Sequence, residues 1–283
     1  MTEFLKIASL AILQGVAEFL PVSSSGHLVL GQELLHLQSP GNTLEIALHA
    51  GTLLSVCLFY GASISAIAGG MFRGRRAALR YALAVFVSMI PCGIAYAALG
   101  DWLEKAFDKP WIVGPAWLFT AALMFTLPRS RKPADAAAAD GGIGARVAVP
   151  PEVPLWAALL TGLGQAVAML PGVSRSGTTI WVARRCGIPA ADAARFSFLM
   201  SLPVIGGATL LTLAKLGSEA DAAGAAAPAT PGWMLAAGAT ISAVVGYISL
   251  AVLVRMLRRG RFWVFGVYCL VVGTAATLWC LAR

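Results

Sequence analysis

QGVAEFLPVSSSGH, residues 14–27, places Glu18, three consecutive serines and His27 inside strongly apolar sequence. A second stretch, QAVAMLPGVSRSGT, residues 165–178, aligns with it without a gap at an offset of 151. The two agree at seven of fourteen positions: Gln, Val, Ala, Val, Ser, Ser and Gly. Polar groups that recur at one offset point to two related, broken segments rather than to one misplaced cluster.

The surrounding composition says what medium these segments occupy. Of 283 residues, 58% are hydrophobic and only 12% are charged, with mean hydropathy +0.78. A soluble domain carries about a quarter charged residues. This chain cannot cover itself with polar surface, and its long apolar runs read as those of an all-α, polytopic membrane protein in the lipid bilayer. The opening MTEFLKIASLAILQG lacks a basic n-region followed by a small-residue cleavage site, so no cleavable signal peptide is expected. The net charge of +8 reads as loop charge that orients the chain in a bilayer, not as a nucleic-acid footprint. Five cysteines (Cys57, Cys92, Cys186, Cys269, Cys280) lack CxxC spacing and read as small buried hydrophobes.

Six runs are long enough to span: 44–68, 80–99, 111–127, 195–216, 232–256 and 262–282. Two connectors, 128–153 and 217–231, are rich in Ala, Gly and Pro. Fifteen of the 21 Lys and Arg residues fall in four places: loop 69–80, loop 128–153, the region before the fourth span, and the loop before the last span. Connectors 100–110 and 217–231 hold only Lys105 and Lys109. The positive-inside rule makes the Arg-rich loops cytoplasmic. The first three spans then run opposite to the last three, and the triplets start at 44 and 195, again 151 apart. The chain therefore reads as two inverted-topology repeats, 1–150 and 151–283. The segments that precede the triplets, 1–43 and 154–194, must begin and end on one side. Each reads as a re-entrant helical hairpin, the first entering from outside and the second from inside. Their broken tips, SSSGH and SRSGT, should meet near the midplane, where inverted-repeat proteins place binding sites.

Gln14 and Glu18, four apart, share one helix face. With Ser23, Ser24, Ser25 and His27 they offer an amide, a carboxylate, hydroxyls and an imidazole. The second tip offers Ser174, Arg175, Ser176, Thr178 and Thr179; Arg175 carries a fork of donors suited to phosphate oxygens. Gly26 and Gly177 permit tight turns, and the helix that follows each tip points its positive end at the same place. Structural readings stand beside this one. Ser, Thr and Gly in membrane helices often serve packing, and a buried Glu with a buried Arg can be a structural ion pair. Two polar tips in symmetry-related positions favour function, because ionisable groups at membrane depth are expensive. In the alignment Glu18 faces Met169, Ser24 faces Arg175 and His27 faces Thr178. One half carries reagent-type groups and the other a phosphate clamp. Glu45 and His49, four apart, read as outer groups around the site or as lining of its entrance. Glu3, Glu33 and His36 belong at the outer interface.

QGVAEFLPVSSSGH resembles the (E/Q)xxxE-FLPVSS-(S/T)-GH motif of the bacterial undecaprenyl-pyrophosphate phosphatase family, the BacA-type bacitracin-resistance enzymes. PGVSRSGTT is similar to that family's PGxSRSGxT motif, and LEIALHAGTLLSV (44–56) and ARFSFLMSLP (194–203) fit its pattern. The resemblance covers the whole chain. It implies hydrolysis of undecaprenyl pyrophosphate to undecaprenyl phosphate and phosphate in the bacterial plasma membrane, with a divalent cation, Mg²⁺ or Ca²⁺. Carried over residue by residue, Glu18 and Gln14 match the two metal-side positions, Gln14 being the neutral alternative. Ser24 matches the proposed nucleophile, His27 the motif histidine and Arg175 the motif arginine.

A pyrophosphate must be charge-neutralised before it breaks, and Arg175 with a metal near Glu18 would do so. His27, three residues from Ser24, is the candidate base. Attack by Ser24 and attack by water both stay open, with Ser24 preferred. The rival class is a polyprenyl-phosphate transporter or flippase using the same cavity, and a structural membrane scaffold is a weaker third. The partner is a polyprenyl pyrophosphate lipid, in a cavity facing the periplasm or exterior. A homodimer is left open.

Overall fold

The computed structural model describes residues 2–35, 43–107, 109–127, 149–222 and 230–282. Within them the chain forms eleven α-helices, one short 3₁₀ turn and no strand. Of the residues singled out above, His36 lies outside the described residues, as does most of connector 128–153 and part of 217–231.

The first hairpin is α1 (Glu3–Ala17) and α2 (Ser24–Leu35), joined by a turn at 18–23. α1 buries Ile7, Leu10, Ala11, Gln14 and Ala17, a helical stripe, while Leu5 and Ile12 on the other side are half exposed. Both faces are apolar because the outer one meets lipid instead of water. Next come α3 (Thr43–Phe59), α4 (Gly61–Phe72), α5 (Arg76–Phe107) and α6 (Val113–Phe125). The second hairpin is α7 (Leu155–Val167) and α8 (Arg175–Arg185), followed by α9 (Ala190–Ala222), α10 (Gly232–Arg258) and α11 (Trp263–Leu281). α2 and α8 start 151 residues apart, matching the repeat offset.

Among the described residues four helices are long and apolar enough to cross a membrane, Arg76–Leu103, Ala190–Leu211, Gly232–Arg258 and Trp263–Leu281, so the chain is a helical, multi-pass membrane protein. The expected span 44–68 is not one rod. α3 and α4 meet at Tyr60 with a bend of 73°, and together make a fifth candidate crossing. The bend turns the Tyr60 ring inward against Phe59 and Phe198, while Gly61 opens the next helix. Hydropathy is blind to such a break, since both arms are apolar. The expected span 111–127 is a helix of 13 residues behind the Pro110–Ile112 turn. That is shorter than the roughly 20 residues a crossing needs. α5 exceeds its expected range, running through Pro91 to Phe107; a proline inside a membrane helix is tolerated when neighbours or local adjustment satisfy the freed carbonyl.

The helices cross-connect. α1 packs on α10, and α7 packs on α5; α3 also lies against α10, α9 against α5, and α6 against α11. Small residues set how closely these pairs approach. At Gly162 on α7 a Cβ would overlap the Ser88 carbonyl of α5, and at Gly51 on α3 it would overlap the Ala239 carbonyl of α10. Backbone cannot yield there as a flexible side chain could. Gly162→Val should therefore destabilise the protein by at least about 1–3 kcal/mol. Gly69→Val, with nothing within 4 Å of its Cβ, should cost far less. Melting temperatures in detergent compare the two; equal shifts would contradict the close-approach account.

Candidate active site

The two turns carry the site, and each is held at depth by other helices. Past Ala17 the chain leaves α1 through Glu18, whose N–H still bonds Gln14 O. The carbonyls exposed by the turn find donors: Trp117 Nε1 on α6 reaches Val22 O at 2.7 Å, and Cys269 Sγ on α11 reaches Pro21 O at 3.4 Å. Ser23 sits at φ +68°, the left-handed region that a non-glycine residue enters only under constraint. Its hydroxyl accepts from Gly26 N and lies 3.2 Å from Ser25 Oγ. In the second turn Gly172, at φ +94°, makes the sharp bend. Thr120 on α6 accepts from Ser174 N, and Ser174 caps α8 by accepting from Gly177 N at 3.1 Å.

Glu18 is the centre. It is only 8% exposed. Oε2 accepts from Ser24 Oγ at 2.6 Å and from Gln14 Nε2 at 3.2 Å, and His49 Nε2 stands 3.8 Å away. Oε1 accepts from Arg175 Nη2 at 2.5 Å. The carboxylate and the guanidinium thus join two tips 157 residues apart in sequence. Arg175 also lies over the Phe198 ring, 5.8 Å from its centroid, and its Nη1 is buried with no hydrogen-bond partner among the described residues. Both α2 and α8 begin here, so two helix N-termini add positive potential at the same point.

A cavity of about 310 Å³ opens beside these groups. Ser23, Ser24, Ser25, Glu18, Ser174 and Arg175 line it, as expected for facing tips. Ser176, Thr178 and Thr179 do not. They lie inside α8, buried, with Thr178 and Thr179 hydroxyls donated to Ser174 O and Arg175 O at 2.8 Å, and Ser176 near Ser174 Oγ. His27 also stands apart from Ser24. Its Nδ1 meets Ser23 O at 2.7 Å and its Nε2 meets Tyr268 Oη at 2.6 Å, with the ring edge-on to Trp117. The left-handed Ser23 starts α2 in a register that turns His27 toward α11. The imidazole that reaches the cavity is His49, one turn beyond Glu45 on α3. Sequence spacing singled out that pair but gave it no chemical part. Tyr96 and Leu103 of α5, Met169 of the second turn and Ile205 of α9 add an apolar part to the lining; in sequence Tyr96, Leu103 and Ile205 look like any other apolar span residue.

No group of three His, Cys, Asp or Glu side chains capable of holding a metal occurs among the described residues. The two positions expected on the metal side offer the Glu18 carboxylate and Gln14 Oε1, which is buried with no hydrogen-bond partner among the described residues. Such a set suits a hard cation shared with substrate phosphates, because Mg²⁺ is often held by one or two carboxylates plus phosphate oxygens.

The profile of the family described as "Bacitracin resistance protein BacA" matches residues 7–275, which include both tips. The chain belongs to that family. A protein from Desulfatibacillum aliphaticivorans is 36% identical over 286 residues, 95% of this chain and 96% of its own length. One from Desulfosudis oleivorans is 37% identical with the same coverage, and one from Geobacter sulfurreducens is 34% identical over 99% of this chain and all of its own. Each is named undecaprenyl-diphosphatase.

Removing one member of the buried pair leaves the other charge uncompensated. Arg175→Met should destabilise the fold by about 3–5 kcal/mol. Combining it with Glu18→Gln should recover much of that loss in thermal melting, whereas additive losses would show that the pair does not hold the tips together.

Proposed function

We propose that this family member hydrolyses undecaprenyl pyrophosphate to undecaprenyl phosphate and inorganic phosphate, recycling the lipid carrier of cell-wall synthesis in the bacterial plasma membrane. One observation carries the reading: a serine hydroxyl hydrogen-bonded to a buried carboxylate, with an arginine on that carboxylate's other oxygen, in a cavity with a partly apolar lining. A polyprenyl pyrophosphate has the matching division into an anionic head and an apolar tail.

The chemistry follows from the contacts. Glu18 Oε2, 2.6 Å from Ser24 Oγ, takes the serine proton as Oγ attacks the terminal phosphorus. An Oγ–P bond forms, the bridging P–O bond breaks, and undecaprenyl phosphate leaves. Water then attacks the phosphoserine and returns the serine as phosphate departs. Arg175 Nη1 is the donor open to a phosphate oxygen, while the N-termini of α2 and α8 favour the same charge. A divalent cation, Mg²⁺ or Ca²⁺, held by Glu18 and Gln14 Oε1, would supply further neutralisation of the phosphates when bound. In this scheme His27 positions rather than deprotonates: it fixes the first tip between Ser23 O and Tyr268.

The same reading includes two inverted repeats, 1–150 and 151–283, with re-entrant hairpins 1–43 and 154–194 whose tips meet. The exchange of partners supports it, since α1 packs on α10 while its repeat counterpart α7 packs on α5, the counterpart of α10. The positive-inside pattern supports a cavity that faces the periplasm.

Phosphate release by purified protein in detergent tests the enzyme against a transporter, which needs binding groups but no nucleophile. Ser24→Ala should lower kcat by about 10³-fold or more, on the scale seen for lost nucleophiles, and labelled phosphate should be trapped on Ser24 in a single turnover. Retained turnover in Ser24→Ala would move the attack to water. EDTA should abolish release and Mg²⁺ or Ca²⁺ restore it. For topology, a cysteine at Ser25 in a background lacking Cys57, Cys186 and Cys280 should label with an impermeant maleimide from the periplasmic side; labelling from the cytoplasm alone would reverse the assigned orientation.

A further inference from the structure

Hydrolysis of a phosphoserine at Ser24 needs a proton acceptor that Glu18 cannot be. In the first step Glu18 receives the Ser24 proton, and in the second Oγ must regain it. One carboxyl group cannot act as acid toward Oγ and as base toward the attacking water at the same moment. His27 does not fill the place: its Nδ1 donates to Ser23 O at 2.7 Å, its Nε2 accepts from Tyr268 Oη at 2.6 Å, and it is not among the residues that line the cavity. His49 is placed differently. It lines the cavity together with Glu18, Ser24 and Arg175. Its Nδ1 stands 2.8 Å from Glu45 O, one turn back on α3. A carbonyl oxygen can only accept, so Nδ1 carries the hydrogen of the neutral ring and the lone pair is on Nε2. That atom lies 3.8 Å from Glu18 Oε2, the oxygen that Ser24 Oγ reaches at 2.6 Å, and makes no hydrogen bond among the described residues. The side chain is 31% exposed, which leaves it open to a water molecule. The Glu45 carboxylate does not compete for the ring, since it accepts from Gln32 Nε2 at 2.8 Å.

We propose that His49 Nε2 is the base that takes a proton from the water that hydrolyses the phosphoserine. The proposal rests on the phosphatase reading above and deepens it by giving the second step a residue of its own. The step balances. The water oxygen forms a bond to phosphorus while one of its protons passes to Nε2. The Oγ–P bond breaks, its electron pair goes to Oγ, and Oγ takes back the proton held on Glu18 Oε2 across their hydrogen bond. His49 then yields its proton to the departing phosphate, and Glu18, Ser24 and His49 end as they began. Position and tautomer carry the assignment. Oγ and Nε2 both approach one carboxylate oxygen, so the base stands within a water's reach of a phosphoryl group on Ser24. The bond to Glu45 O fixes the ring so that its lone pair, not its N–H, is on the atom nearer Glu18. The two carriers of protons then have separate parts: Glu18 moves the serine's proton and His49 moves the water's.

Undecaprenyl pyrophosphate labelled in its terminal phosphate separates the two steps in rapid-mixing experiments. His49→Gln keeps an amide that can donate to Glu45 O but cannot take the water's proton. In it, one equivalent of undecaprenyl phosphate per enzyme should form at the wild-type rate. Release of labelled phosphate should then be slower by about 100-fold or more, the scale of a lost general base, with the label held on Ser24. The intact first turnover shows that the variant is folded. His49→Ala should behave in the same way, and free imidazole should restore phosphate release to it but not to His49→Gln, where the side chain fills the space. Wild-type phosphate release in His49→Gln overturns the assignment. So does a first turnover slowed as much as release, with no label accumulating on Ser24, because His49 then acts on Glu18 or on the fold. Retained turnover in Ser24→Ala overturns it as well, by removing the phosphoserine. All three results leave the phosphatase standing. A wild type that releases no phosphate overturns the phosphatase reading and this base with it.

Discussion

A carboxylate and a guanidinium hydrogen-bonded to each other, far from bulk water, are the constraint around which the rest is arranged. Neither Glu18 nor Arg175 is tolerable alone at that depth, and each is carried by a chain reversal that leaves backbone groups without helical partners. Trp117, Thr120 and Cys269 satisfy those groups from α6 and α11. The pair is thus the point where two broken segments meet, and the helices outside them serve as its supports. Joining the tips also aims two helix N-termini at one place. The ion pair answers the expense of burying charge, and the same positive field that steadies Glu18 prepares the cavity for an anion.

A binding site made this way has an internal competition. Arg175 cannot give both its terminal nitrogens to a phosphate and keep its bond to Glu18. The geometry divides the guanidinium: Nη2 is committed to Glu18, and Nη1 is buried with no partner among the described residues. Glu18 is divided likewise, with Oε1 toward the arginine and Oε2 toward Ser24. Glu18 therefore faces its structural partner with one oxygen and the nucleophile with the other, and Arg175 keeps a second nitrogen uncommitted. Stability and reactivity draw on the same two side chains without excluding each other, which explains why the charges sit in apolar surroundings at all.

How much of this was legible in the sequence depends on whether a feature is a repeat or a contact. The offset of 151 is a pattern in one dimension, and it led to the two tips, to Glu18, Ser24 and Arg175 as neighbours, and to a helix following each tip; the structure starts those helices earlier, within the tips, at Ser24 and Arg175. The approximate positions of the long helices followed from hydropathy. The bend at Tyr60 did not, since a break between two apolar arms leaves the hydropathy unchanged. The contacts of His27 were hidden for a related reason. Spacing of three from Ser24 cannot establish a contact across a turn; the left-handed Ser23 precedes α2, and the imidazole meets Tyr268, 241 residues away. Thr178 and Thr179 carried the right chemistry for a phosphate, yet a threonine inside a helix commonly returns its hydroxyl to its own backbone, and these two do. Tyr96, Leu103 and Ile205 could not be chosen from sequence, because what distinguishes them from other span residues is only what stands across the gap.

The cavity also explains why membrane depth suits the reaction. An enzyme acting on a lipid-borne pyrophosphate from the aqueous side would have to draw a long apolar tail out of the bilayer, at about 0.8 kcal/mol for every methylene exposed. Bringing the charged residues down to the lipid removes that cost and replaces it with the burial of a few polar groups, which the two tips largely satisfy between themselves. The exchange favours the protein whenever the tail is long. Two chain reversals that meet deliver polar backbone and side chains to one place, and each tip then satisfies part of what the other exposes, Arg175 of one bonding Glu18 of the other.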